Sequence, residues 1–308
     1  MTFRRCAEIY IDAHAPAWRN AKHRWQWRNT LEKHAYPVFG DLDVAAIDDG
    51  LIMQVLDPIW QTKNETASRL RGRLEAVLDW ARVRGFRSGD NPARWRGHLQ
   101  KALPAPRKSL RVRHHPAMPY AQIAEFMTAL RANGSASAQA LEFTILTAAR
   151  TGEAIGADWS EIDLDQCVWT VPAERMKAGR EHRVPLSNRA IEILRARAAV
   201  QSGGPVFANR RGEPLSNMAL LMLLRRLTGR DFTVHGFRSS FRDWAAEQTD
   251  FPREVAEAAL AHTLEDKVEA AYRRSDLFEK RAALMAAWTD FCDSPRRKAP
   301  RGGRLASA

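Results

Sequence analysis

A tyrosine followed by two arginines stands near the carboxyl end of the chain, in the stretch VEAAYRRSD at residues 268–276. Val268, Ala271 and Tyr272 share one helical stripe, so their spacing fits a core aromatic beside a solvated charge pair. A phenol can also act as a nucleophile, but its ordinary pKa is about 10 and it needs cationic neighbours or a base to react near neutral pH. The role of Tyr272 therefore depends on which residues the fold brings to its hydroxyl.

A histidine and an arginine three residues apart lie in the stretch TVHGFRSSFRDWA at residues 233–245. The pattern places His235 and Arg238 at a helix start, so both side chains can project to one side near the electropositive end of the helix. An imidazole, a guanidinium and a helix N-terminus together suit a phosphate oxygen. In a chain this rich in arginine, a plain surface pair is the competing interpretation.

An arginine and a glutamate with the same spacing lie in LTAARTGEAIGADW, residues 146–159. The pattern predicts that Arg150 ends a buried helix and emerges at the Thr-Gly turn, where Glu153 can orient its guanidinium. A local salt bridge that ties down the helix end explains the pair equally well.

Two further residues of catalytic type stand at predicted boundaries. Lys177 falls at the tip of a predicted hairpin between the strands CVWTVP and HRVPL, on an arm able to swing its amine into a groove. His262, in ALAHT, follows an apolar helix. A solvated lysine and a packed histidine are the ordinary alternatives, so neither residue defines a site alone.

The composition favours a polyanionic partner, because the 308 residues include 48 Lys and Arg against 36 Asp and Glu, a net charge of +12. The start is too polar for a signal peptide, and no long apolar run or lipidation motif predicts a membrane partner. Cys6, Cys167 and Cys292 form no CxxC pair, which argues against a cysteine zinc site and fits a reducing cytoplasm. Without an HExxH motif a metal site is not expected, and the lack of a glycine-rich nucleotide loop is consistent with a site that needs no cofactor.

Residues 1–103 are predicted to form a helical domain. Its clearest helix covers residues 65–84, where apolar residues recur at helical spacing. Arginine and tryptophan also mix in KHRWQWRN (22–29) and ARWRG (93–97), so a DNA-facing surface competes with an ordinary solvated face. The candidate DNA contacts in this domain are Lys22, Arg24, Arg69, Arg71 and Arg73.

A basic, proline-rich segment at residues 104–118 is predicted to be an interdomain linker. Its cationic residues are candidate phosphate contacts, although an ordinary exposed tether has the same composition. These candidates are Arg107, Lys108, Arg111 and Arg113. A second domain is expected over residues 119–293, followed by a basic, disordered tail at 294–308.

The second domain is predicted to be helical with one small antiparallel β-sheet. A helix carries Ile123, Phe126, Met127 and Leu130 on one face, and a buried helix follows at about residues 137–149. Further helices are expected to start near residues 188, 216, 237, 253, 265 and 277. The fold class is therefore mainly α with a small antiparallel sheet.

The order of these motifs along the chain resembles the tyrosine recombinase (phage integrase) family, and most closely its prophage and genomic-island subgroup. The resemblance covers residues 1–293 and is carried by AARTGEAIGADWSEIDL, ERMKAGREHRVPLS, VHGFRSSFRDWA, LAH and AAYRRSDLFEKR. It implies a helical core-binding domain of the SAM-like type followed by an α+β catalytic domain. Since Met1 leads almost directly into the first of these, we expect either a truncated chain or a member that works without the N-terminal arm-binding domain.

The resemblance implies site-specific recombination through a transient 3′-phosphotyrosine, without metal or ATP. Tyr272 would be the nucleophile, with Arg150 and Arg238 on the phosphate and Glu153 holding Arg150. Lys177 would protonate the leaving 5′-oxygen, whereas His235 would accept or orient the tyrosine proton. His262 would donate a hydrogen bond to the phosphate.

The partner implied is double-stranded attachment-site DNA, bound by four protomers on two duplexes, with an excisionase or a host DNA-bending protein as accessory partners. Type IB topoisomerase-like activity and a non-catalytic regulator derived from an integrase are the alternatives. The first would relax DNA as a monomer, and the second is disfavoured because every implied catalytic position holds the expected residue type. A metal-dependent transposase or nuclease would need an acidic cluster, whereas the pairs Asp41/Asp43 and Asp48/Asp49 fit loops and caps.

Overall fold

A computed structural model describes residues 1–18, 21–104, 116–201, 203–262 and 275–294. The chain divides into two compact units, Met1–His114 and His115–Ala308, each of which has its own hydrophobic core. Most of the predicted linker and nearly all of the predicted tail lie outside the described residues. So do Tyr272, Arg107, Lys108, Arg111 and Arg113.

The N-terminal unit is helical, as the sequence predicts. Its helices are α1 (Phe3–His14), α2 (Ala21–His34), α3 (Tyr36–Phe39), α4 (Asp49–Trp60), α5 (Asn64–Val83) and α6 (Gln100–Ala102). The apolar stripe predicted for residues 65–84 is the buried face of α5. That helix packs against α1, α2 and α4, which places it at the centre of the unit.

Two arginines that the sequence suggests as DNA contacts form hydrogen bonds within the N-terminal unit. Arg73 is only 8% exposed and donates to the Gln26 carbonyl at 2.8 Å and to the Thr30 hydroxyl. Arg71 is paired with Glu75 and donates to the Ala93 carbonyl at 3.0 Å. Their guanidinium groups therefore face α2 and the 91–95 segment.

The other candidate contacts in this unit have different surroundings. Arg69 is 63% exposed and forms an ion pair with Glu65 one helical turn away. Arg24 lies at the surface of α2 and pairs with Asp12. Lys22 belongs to α2, and its side chain lies outside what the structure describes.

The C-terminal unit surrounds a three-stranded sheet with helices. The helices are α7 (Ile123–Asn133), α8 (Ala136–Leu146), α9 (Thr151–Ile155), α10 (Asn188–Ala198), α11 (Asn217–Thr228), α12 (Gly236–Gln248), α13 (Arg253–Ala259) and α14 (Phe278–Asp293). These confirm the predicted helix starts to within one residue for those that fall in described segments. The predicted start near residue 265 lies outside them.

The sheet is antiparallel in the order β1 (Ile162–Asp163), β2 (Val168–Val171) and β3 (His182–Pro185). Trp169 pairs with Val184 on β3 and with Ile162 on β1. The two predicted strands are therefore confirmed, whereas the two-residue β1 is too short to leave a periodic signal. Together with the helices, the sheet confirms the predicted fold class.

The last helix closes the core of the C-terminal unit. Trp288 of α14 is fully buried and donates its indole N–H to the Ile145 carbonyl of α8 at 2.9 Å. Arg281, also buried, donates to the Arg183 carbonyl of β3 and to Asp276. These contacts bind helix α14 to both α8 and β3. No helix in the described segments combines the length and apolar character needed to cross a membrane.

The two arginine environments on α5 predict different stability effects. Arg73→Ala should lower the free energy of unfolding by about 2–4 kcal/mol, since it removes buried hydrogen bonds and leaves a cavity. Arg69→Ala, the matched change on the same helix, should cost below about 1 kcal/mol because its ion pair is exposed. Chemical denaturation of both variants checks this, and equal losses would contradict the burial of Arg73.

Candidate active site

Arg150 is held by Glu153 through both its backbone and its side chain. Glu153 Oε2 accepts the Arg150 backbone N–H at 2.9 Å, while Oε1 accepts Nη1 of the guanidinium at 2.7 Å. Glu153 is buried, so this carboxylate has a fixed position under the arginine. The orienting contact expected from the sequence is therefore present.

The backbone around Arg150 differs from the prediction. Helix α8 ends at Leu146, and Ala148 adopts a left-handed conformation with φ of 50°. Arg150 is then the N-cap of α9, in an extended conformation. The helix predicted to run to about residue 149 thus stops three residues earlier, because a left-handed residue cannot continue a right-handed helix.

Arg238 is buried beside Arg150 and is bound largely by main-chain carbonyls. It is the third residue of α12 and is only 5% exposed. Nη1 donates to the Ala148 carbonyl and Nη2 to the Leu260 carbonyl. Arg150 Nη2 donates to the next carbonyl along, that of Ala261, at 3.3 Å. Two guanidiniums therefore share the segment that leads into His262.

Left-handed alanines lie at two of these contacts. Ala148 and Ala261 have φ values of 50° and 49°, a region that costs a residue with a Cβ on the order of 1 kcal/mol. The carbonyls of both residues accept arginine N–H groups, from Arg238 and Arg150 respectively. The strained backbone at both places is thus compensated by charge-assisted hydrogen bonds.

His262 bridges Arg238 and Glu257. Its Nε2 lies 3.1 Å from Arg238 Nη2, and its Nδ1 lies 2.6 Å from Glu257 Oε2. Because a guanidinium only donates, Nε2 accepts and the proton is on Nδ1. Burial and the two arginines lower the pKa of His262, and Glu257 opposes them. A donor role for His262 toward phosphate requires a proton on Nε2, the nitrogen that faces Arg238 here.

His235 is the N-cap of α12, and its surroundings explain the glycine that follows it. A Cβ on Gly236 would lie 2.5 Å from the Pro116 carbonyl oxygen and 2.8 Å from Ala117 Cα. The helix start therefore packs directly on the 116–117 backbone. His235 is exposed whereas Arg238, on the same first turn, is buried, so their burial differs even though their spacing suggests one common face.

Lys177 is exposed in the loop between β2 and β3, next to the buried Met176. Gly179, with φ of 64°, helps to turn this loop, and its N–H donates to the Met176 carbonyl at 3.0 Å. Tyr272 lies outside the described residues, so its relation to Lys177 and the arginines stays a prediction.

The structure adds residues that sequence reasoning does not select. His182 of β3 is surrounded by Arg281, Glu153, Arg150 and the Ala259 backbone. Burial, followed by the charge of Arg281, lowers its pKa to about 4. In the sequence, His182 looks like one polar residue in the alternating pattern of the strand HRVPL. Only the structure shows that it lies close to Arg150 and Arg281.

The electrostatics of the site favour an anion. Burial and the neighbouring Arg150 lower the pKa of Arg238 to about 10, and Glu153 and Glu257 partly offset them. Arg238 therefore remains protonated at neutral pH while repelling a second cation. Its buried Nε–H has no hydrogen-bond partner within the described part of the chain. An oxyanion would both reduce the repulsion and satisfy a donor.

His182 makes a specific contribution to the pH dependence of stability. Its folded pKa of about 4 lies below the ordinary 6.5, so between these values the unfolded chain binds the proton more tightly. The contribution of His182 to the free energy of unfolding should be fully present above pH 6.5. It should fall, by at most roughly 3 kcal/mol, as the pH drops toward 4. Denaturation of the wild type and His182→Gln across this range checks the effect. An unchanged pH slope in the variant would contradict it.

Comparison with known proteins gives two family matches that together span most of the chain. Residues 3–98 match the phage integrase central domain, and residues 117–277 match the phage integrase family. The prophage integrase IntA of Escherichia coli K12 is 32% identical over 272 residues, covering 86% of this chain and 63% of IntA. The prophage integrase IntZ of the same strain is 32% identical over 297 residues, covering 95% of this chain and 71% of IntZ.

A solved structure shares the fold of both units. A lambda integrase dimer bound to a COC′ core site matches 90% of this chain and 96% of its own chain, with a TM-score of 0.65 and 22% identity. The family matches and the identity to IntA and IntZ confirm the resemblance that the motif order indicates. The chain belongs to the phage integrase family.

Proposed function

We propose that this chain is a site-specific DNA recombinase that cleaves and rejoins duplex DNA through a 3′-phosphotyrosine on Tyr272. The observation that carries the proposal is the pair of guanidiniums, Arg150 and Arg238, bound to the consecutive carbonyls of Ala261 and Leu260. In a member of the phage integrase family, this pair is the natural binding site for the phosphate that is cleaved.

The arginine pair suits a phosphodiester in its transition state. Guanidiniums are planar, remain charged and donate in a fixed fork, so two of them can bind the nonbridging oxygens in a defined orientation. Because the carbonyls hold them in place before the substrate arrives, little reorganisation accompanies the rise in negative charge. Glu153 supports this by orienting Arg150.

The proton balance of cleavage needs one base and one acid. The Tyr272 oxygen attacks phosphorus, the bond from phosphorus to the 5′-oxygen breaks, and the phenol proton passes to His235 or to solvent. Lys177 gives its proton to the departing 5′-oxygen. A 5′-hydroxyl of a partner strand reverses these steps, and the phosphotyrosine bond supplies the energy for resealing.

The contacts of His262 suggest a second role beside the one that the resemblance implies. Its Nε2 accepts from Arg238, and its Nδ1–H faces Glu257. We infer that His262 first orients Arg238 and donates to the phosphate only if Nε2 gains a proton. Each of the two arginines would then be oriented by a glutamate, Arg150 directly by Glu153 and Arg238 by Glu257 through His262.

Duplex DNA is the proposed partner. One lambda integrase structure is a dimer on a core site, and another is a tetramer on a Holliday junction. By analogy we propose four protomers on two duplexes, acting on DNA in the cytoplasm, with Arg24 and Arg69 among the exposed phosphate contacts. Accessory proteins such as an excisionase or a DNA-bending protein stay predictions.

Covalent capture tests the nucleophile without a known target sequence. The chain is incubated in EDTA with a randomised pool of duplexes nicked near the centre, and adducts that survive denaturation are recovered and sequenced. The wild type should enrich one sequence, and Tyr272→Phe should form no adduct because it lacks the phenol oxygen. Adduct formation by Tyr272→Phe, or no adduct with the wild type, would contradict the proposal.

The arginine pair is tested on the selected sequence. Arg238→Lys should slow adduct formation by about 100-fold or more, since lysine keeps the charge but loses the fork that binds several acceptors. Its affinity for uncleaved DNA should change little. Arg197→Lys is the matched control, because Arg197 is another buried arginine of the same unit and donates to the Val206 carbonyl. Equal rates for the two variants would remove Arg238 from the site.

A further inference from the structure

A partly buried arginine lies two residues before Lys177. Arg175 ends the short 3-10 turn Ala173–Arg175 in the loop between β2 and β3. Its Nη1 donates to both oxygens of Glu161, and its Nη2 donates to the Glu153 carbonyl. The Arg175 side chain is only 23% exposed, so its pair with Glu161 is largely shielded from solvent, unlike a surface ion pair.

The partners of Arg175 are themselves fixed. Glu161 Oε2 accepts the indole N–H of Trp169 at 2.9 Å, and Trp169 is fully buried in β2. On the opposite side, a Cβ added to Gly156 would lie 2.9 Å from Arg175 Nη2. The guanidinium therefore occupies space that glycine leaves open at the end of α9.

Arg175 connects the two halves of the proposed chemistry. Glu153 binds Arg150 through its carboxylate and Arg175 through its carbonyl. After Arg175 the chain inserts Met176 into the core and then exposes Lys177. Glu153 thus orients Arg150 and also binds the start of the loop that carries Lys177.

We propose that Arg175 is a positioning residue that holds Lys177 in register with Arg150, so that the lysine reaches the leaving 5′-oxygen. The inference rests on the proposed function, because it takes Lys177 as the acid of that reaction. The substitution Arg175→Lys would keep the charge, but the lysine amine could not reach the Glu161 carboxylate and the Glu153 carbonyl together.

A sulfur substitution separates this role from a general loss of structure. In the selected nicked duplex, the 5′-bridging oxygen at the cleaved bond is replaced by sulfur. A thiolate departs without a proton because thiols have a pKa of about 8.5, whereas an alkoxide needs an acid. Loss of the acid or of its placement should therefore slow cleavage of the oxygen substrate alone.

The expected result for Arg175→Lys is adduct formation about tenfold or more slower on the oxygen substrate and within about threefold of wild type on the sulfur substrate. Lys177→Ala should show the same selectivity with a larger effect. The double variant should be no slower than Lys177→Ala, since Arg175 acts only through Lys177. Arg197→Lys should show no selectivity, because Arg197 is a buried arginine that donates to the Val206 carbonyl and not to Glu153 or Glu161.

The outcomes test the positioning role of Arg175 separately from the proposed recombinase function. Equal slowing of both substrates by Arg175→Lys, no slowing at all, or an additive double variant would overturn the positioning role while leaving the recombinase proposal intact. If Lys177→Ala itself shows no sulfur rescue, the acid assignment fails first. If Arg175→Lys does not fold, Glu161→Gln weakens the same contact from its other end and must show the same selectivity.

Discussion

The structure of the candidate site depends on holding two guanidinium groups close together, one of them buried. Burial is the main cost to the charge of Arg238, and the nearby Arg150 adds to that cost. The chain compensates with carbonyl groups at Ala148, Leu260 and Ala261 and with the buried carboxylate of Glu153. An anion placed between the guanidiniums would relieve the remaining repulsion, and this is the physical basis for binding phosphate there.

Burial of an arginine does not by itself mark a functional residue. Arg73 and Arg197 are also buried and also donate to carbonyls, yet each serves the packing of its own unit. Arg238 differs because a second guanidinium and an imidazole lie beside it. The function is therefore assigned from the combination of neighbours, and family membership adds independent support.

The helices, two of the strands and the order of the catalytic residue types could be predicted because they depend on local periodicity and on motifs. The contact between Glu153 and Arg150 spans one helical turn and was accessible in the same way. The burial of Arg73 and the binding of Arg175 could not be predicted, since their acceptors lie 47 and 22 residues away. The left-handed alanines also escape pattern reasoning, because alanine ordinarily favours continuation of a helix.

The claim that the two arginines act on the charge of the phosphate is tested most directly by removing that charge. A methylphosphonate at the cleaved bond replaces one anionic oxygen by a methyl group. The account predicts that Arg150→Ala and Arg238→Ala lose most of their cleavage rate on the ordinary phosphodiester but much less on at least one methylphosphonate stereoisomer. The same loss on both kinds of substrate would show that the arginines do not act by neutralising the phosphate.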